Sequence, residues 1–118
     1  MSLRSALAGA LRDAMRQRDK PAVAALRSLS ARWANAEAVP METMPRAGAV
    51  EGSALGVGAA DAERRVLTVE DLVHLAEAEV AELESAAVER DRLGRREDAA
   101  DLRRQAAVIL RLLNDSRE

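Results

Sequence analysis

One imidazole, no thiol and a single amine bound the chemistry this chain could perform. His74 has Glu70 and Asp71 about one turn before it and Glu77 one turn after, so a helix here presents a ring nitrogen among carboxylates. A metal would need further ligands from another segment, and there is no second histidine and no cysteine to supply them. His74 therefore reads as a solvated histidine on an acidic helix. Nucleophilic catalysis requires an activated Ser, Cys, Thr or Lys beside a base, and Lys20 is the only lysine. Glu77, Glu79, Glu82, Glu84 and Glu89 offer paired carboxylates, but acid-base work needs one of them buried. Their spacing fits the charged outer face of a long helix. No catalytic residue, metal site or cofactor is expected.

The cations are more telling. Through Val39 the chain carries seven basic and three acidic groups, net +4; from Thr68 onward it carries eight basic and thirteen acidic, net -5. Arg16, Arg18, Lys20 and Arg27 are the first candidates for phosphate contact, since a guanidinium can hold two phosphate oxygens at once. Arg95 and Arg96, beside Gly94 and with Arg90 and Arg92 nearby, are second. Glu89, Asp91, Glu97 and Asp98 are interleaved with that second group, so a self-neutralised hinge is its alternative reading. Aromatic platforms on which bases could stack are missing: Trp33 is the only aromatic residue.

The elements that position these groups follow from periodicity. A chain of 118 residues is one small domain, and with apolar residues at 48% but aromatics at 1% its core must be built from Leu, Val, Ile, Met and many alanines, which suits closely packed helices. Ser2 is a candidate N-cap, and Leu3, Leu7, Leu11 and Met15 recur at helical spacing, predicting a helix over 3–18. Asp19 can cap a second helix with Pro21 in its first turn; its stripe of Ala22, Leu26, Leu29, Trp33 and Ala36 ends near Val39. Thr68 and Asp71 form a capping-box pattern ahead of the heptad Val69, Val73, Ala76, Val80, Leu83, Ala87, and Gly94 should close that helix. A fourth helix carries Ala99, Leu102, Ala106, Ile109 and Leu113. The expectation is an all-α fold of two helical hairpins, 1–39 and 68–118, joined by a mobile Gly/Pro/Ala loop over 40–67 and together making one small domain. No apolar run approaches the roughly 20 residues of a membrane span, so a soluble, cytoplasmic protein without a membrane partner is expected.

Several short strings, in this order and spacing, resemble the GatB/YqeY family, small bacterial proteins related to the tail region of the GatB component of tRNA-dependent amidotransferases. They are Ala14-Met15-Arg16 with Arg18-Asp19-Lys20, Leu26-Arg27 with Asn35-Ala36-Glu37, Leu67-Thr68 with Glu70-Asp71, Gly94-Arg95-Arg96-Glu97-Asp98, and Ile109-Leu110. The similarity spans both helical segments, excludes the loop and covers the family's N-terminal helical part only. It implies an association with glutamine-dependent amidation of mischarged tRNA, a carbon-nitrogen ligase system, with tRNA or a tRNA-handling enzyme as partner. It implies no catalytic residue here, because the synthetic and glutaminase parts of such enzymes lie in other domains and other chains. The rival reading is a protein-protein interaction or self-assembly module, in which a second copy or another protein completes the apolar stripes of a thin hairpin.

Overall fold

The structure, a computed structural model, describes residues 2–38 and 65–116. They form four helices and no strand: α1 (Leu3–Gln17), α2 (Lys20–Ala38), α3 (Val69–Arg92) and α4 (Arg96–Ser116). The all-α expectation of two hairpins holds. The loop expected over 40–67 lies outside the described residues except for its last three, of which Arg65 donates its N–H to the Glu37 carbonyl at 3.1 Å and Leu67 packs against the core.

α1, α2 and α3 begin where their capping residues place them. The Ser2 hydroxyl accepts the Ser5 N–H at 3.0 Å, and Asp19 Oδ1 accepts the Ala22 N–H at 3.2 Å. At α3 the capping box is complete: Asp71 N–H donates to Thr68 Oγ1 at 3.1 Å while Thr68 N–H donates to Asp71 Oδ2 at 3.0 Å.

The two hairpin turns are built alike. At the end of α3, Arg95 N–H reaches the Arg90 carbonyl at 2.8 Å and Gly94 N–H reaches that of Asp91 at 3.0 Å, with Gly94 left-handed at φ 79°. This is the Schellman arrangement, which satisfies the last carbonyls of the helix. At the end of α1, Asp19 N–H bonds the Ala14 carbonyl at 2.9 Å and Arg18 N–H that of Met15 at 3.2 Å. The left-handed position there is Arg18, at φ 57°, so α1 stops one residue short of the predicted 18. An arginine takes the strained place that glycine fills at the other turn.

Short turns make antiparallel neighbours. Arg4 near the start of α1 pairs with Glu37 near the end of α2, and Asp91 pairs with Arg103 across the second hairpin at 2.8 Å. α2 and α4 form the central pair; each packs against all the other helices, whereas α1 and α3 barely meet. Ala22, Ala25, Leu26, Leu29, Ile109 and Ala106 fill the middle. Trp33 plugs the junction of three helices: its indole N–H donates to the Leu72 carbonyl at 3.1 Å, and the Arg4 guanidinium lies 5.9 Å from its ring centroid. Ala87 and Ala99 are fully buried yet stand apart from the core cluster, as does half-buried Leu102. Beyond Leu83 and Ala106 the second hairpin therefore runs on as a two-helix arm tipped by Gly94.

The predicted stripes need three corrections. Met15 is half-exposed while Ala14 is buried, because steps of four drift about 40° each off a helix face of 3.6 residues per turn and Ala14 falls back on the face of Leu3 and Leu7. Val69 is 67% exposed, and Leu72 is buried instead under Trp33. Glu79, expected on a solvated face, is buried.

Gly94→Val should destabilise the fold by about 1–2 kcal/mol, the cost of a left-handed L-residue, because a Cβ there meets nothing within 4 Å and only the backbone is strained. Arg18→Gly should raise stability by up to about 1 kcal/mol for the same reason. Chemical denaturation of both variants measures the pair. A second outcome concerns acid. The Thr68 backbone N–H, the Thr68 hydroxyl and the nearby charges of Arg65 and His74 hold the Asp71 carboxyl below its ordinary 3.8. A depressed native pKa contributes stability above the unfolded value that is lost as pH falls through the native one. Asp71→Asn should thus lose less helicity than the parent between pH 6 and pH 2 in circular dichroism.

Candidate functional site

The α1–α2 turn gathers three candidate cations within five residues. Arg16 stands on the last turn of α1, Arg18 at the left-handed position and Lys20 on the first residue of α2, all exposed. Arg27 follows Lys20 by seven residues and so shares its face of α2, about 10 Å further along. Arg16 has Asp13 at 3.8 Å, a loose pair between exposed groups, whereas Arg18, Lys20 and Arg27 make no ion pair among the described residues. Arg12, which sequence reasoning did not single out, lies exposed one turn before Arg16 on α1; its spacing of four residues was the available signal.

The second cationic group sits elsewhere. Arg95 and Arg96 are exposed at the tip of the arm and make no ion pair among the described residues. The turn of the first hairpin lies beside Val108 and Arg111, so Arg96 is roughly twelve residues away along α4, about 18 Å. Around the tip, Arg90 pairs with Asp98 at 3.5 Å, Arg92 with Glu89 at 3.7 Å and Arg103 with Asp91 at 2.8 Å. The hinge is in large part neutralised within the chain. The structure unites Arg16, Arg18 and Lys20, and it does not unite them with Arg95 and Arg96.

No family model, no curated protein and no solved structure matches the chain. What the residues can do must be taken from their geometry.

The carboxylate chemistry weighed from sequence resolves into a structural contact. Glu79 is 7% exposed and faces α2, where Ser28 Oγ donates to its Oε2 and Arg32 Nε to its Oε1, both at 2.7 Å. Arg32 Nη2 also donates to Glu82 Oε1 at 2.5 Å. Hydrogen bonding to Glu82, with the charges of Glu79 and Glu82 beside it, holds the Arg32 guanidinium above its ordinary value. A cleft of about 350 Å³ opens next to this cluster, lined also by Ala31 and Asn35. A serine bonded to a carboxylate is half of a nucleophile-base arrangement, but here the other carboxylate oxygen is tied to Arg32 and no imidazole approaches. His74 is exposed and projects about 140° around α3 from Glu79. Ser28 and Arg32, one turn apart on α2, were the signal for Glu79, visible only once α2 and α3 are placed side by side.

Arg32→Ala should cost about 3 kcal/mol, because it strands a carboxylate that is nine-tenths covered. Arg32→Ala with Glu79→Leu should recover much of that loss, since the buried carboxylate that Arg32 compensated is then gone. Denaturant midpoints of the single and double variants give the comparison.

Proposed function

We propose that the chain is a non-catalytic helical binding module of the YqeY type, which contacts tRNA, alone or held by a tRNA-handling enzyme, through phosphates at the α1–α2 turn. The observation that carries this reading is the exposed cluster of Arg16, Arg18 and Lys20 with Arg27 on the adjoining face, three of the four making no ion pair among the described residues. Arg95 and Arg96, at the tip of the arm, are a secondary contact on this reading. Base recognition plays no part in it. The sole aromatic ring, Trp33, is 3% exposed with Arg4 over its face, so no base can stack on it. Affinity then comes from phosphate neutralisation, and is modest and salt-dependent. The tie to glutamine-dependent amidation rests on the resemblance of the turn and hinge strings to that family, and the module's part in such a system is to hold RNA or its enzyme rather than to form the carbon-nitrogen bond.

With four phosphate contacts, log affinity for labelled tRNA should fall against log salt with a slope of roughly -3 to -4, and each cation removed should lessen the slope by about one. Reversing charge at Arg16, Arg18 and Arg27 together should abolish binding while the circular dichroism spectrum stays helical. Absence of binding at low salt, or binding indifferent to those three reversals, overturns the RNA reading and leaves the protein-interaction reading in its place.

A further inference from the structure

Among the described residues Arg18 is the only one other than glycine with a positive φ. Left-handed backbone brings the Cβ of an L-residue against the following carbonyl, a contact that glycine escapes. The chain uses glycine for the same task at the other hairpin, where Gly94 stands at φ 79° in the same hydrogen-bond arrangement. The bonds that close the first turn run from the N–H groups of Arg18 and Asp19 to the carbonyls of Met15 and Ala14, so backbone alone makes them. The turn calls for glycine and holds arginine.

Nothing in the described fold asks for that side chain. Arg18 is exposed and makes no ion pair or side-chain hydrogen bond among the described residues. The acids nearest in sequence are engaged elsewhere: Asp19 Oδ1 accepts the Ala22 N–H at 3.2 Å as the cap of α2, and Asp13 lies 3.8 Å from Arg16. Arg16 and Lys20, two residues to either side of Arg18, add charge of its own sign. Like charges gathered at one turn lower stability rather than raise it. A residue held against both strain and repulsion, with no compensating contact inside the fold, marks a position kept for what it binds.

We propose that Arg18 is the anchor of the phosphate site at the α1–α2 turn, the one cation on which binding depends most. This deepens the RNA reading and rests on it. Arg16 is the poorer contact, because a helical Cα–Cβ bond tilts toward the N-terminus and leans that side chain back along α1 toward Asp13. Arg18 lies beyond Gln17, the last residue of α1, and is free of that tilt. Its guanidinium meets a backbone phosphate with two donors at once, whereas the ammonium of Lys20 offers a point charge. Arg27 stands about 10 Å further along α2, outside the turn.

Labelled tRNA titrated at one low salt concentration against the full chain and its single variants tests it, with urea midpoints measured on the same samples. Arg18→Gly and Arg18→Asn should each weaken binding about tenfold, the loss of one bidentate charge-assisted contact, while Arg16→Ala, Lys20→Ala and Arg27→Ala should each weaken it no more than about threefold. Asparagine enters the left-handed region readily without the added backbone freedom of glycine, so equal losses in the two assign the effect to the missing cation and not to a loosened turn. Both should unfold at a urea midpoint no lower than the parent's, which sets lost binding apart from lost structure. A parent that binds no tRNA overturns the RNA reading, and the proposal falls with it. A parent that binds while Arg18→Gly stays within about threefold of it, or while another single variant loses as much, overturns the proposal alone. So does a loss confined to Arg18→Gly and spared in Arg18→Asn, or a midpoint below the parent's in both.

Discussion

Close approach of α2 and α4 is the constraint on which the rest of this structure depends. Without phenylalanine or tyrosine, a core of this size is filled only if helix axes come near one another, and alanine is the side chain that allows it. Ala22 and Ala25 on α2 and Ala106 on α4 are all buried, and Leu26, Leu29 and Ile109 interdigitate between them. Once these two helices are in contact, their flanks make two furrows, and α1 and α3 each occupy one. Trp33 stands where α2, the start of α1 and the start of α3 meet, and supplies in one residue the bulk that the alanines lack.

Much of this is legible in the sequence, and the parts that are not share a cause. Caps and breaks are local signals: Ser2, Asp19, Thr68 with Asp71, and Gly94 each act on residues within five positions, and each behaves as its type dictates. Glu79 escapes a reading of α3 because its partners Ser28 and Arg32 lie 51 and 47 residues earlier, and no pattern along one helix distinguishes a glutamate that meets an arginine from one that meets water. Leu72 falls outside the predicted stripe because α3 has two neighbours, so its buried face is wider than the seam a heptad describes, and it turns toward α2 at its beginning. Arg18 conceals its own conformation: the turn motif is ordinarily announced by glycine, and only the capping aspartate after it betrays the reversal of the chain.

The candidate site is legible to the same degree. Arg16, Arg18 and Lys20 are close in sequence, so any turn between the first two helices must gather them, and it does. That Arg95 and Arg96 belong to a separate place is not visible there, because it depends on the length by which the second hairpin outruns the first. The same holds for the groove of about 650 Å³ between α1 and α4: its walls come from residues 5–17 and 108–115, and nothing in either segment names the other.

That overhang divides the molecule into parts of unequal firmness. From Glu84 to Arg103 the two helices of the arm bury only the small Ala87 and Ala99, with Leu102 half-covered, and their ion pairs are open to water, so this stretch gains less apolar burial than the core. Amide protons in this stretch should exchange through an opening of the arm alone, at a free energy below that of global unfolding, while those of Leu26, Leu29 and Ile109 should wait for the whole core to separate. A helix that is one continuous rod from Arg96 to Ser116 should thus open as two cooperative units, firmer where α1 and α2 also pack on it than where only α3 does.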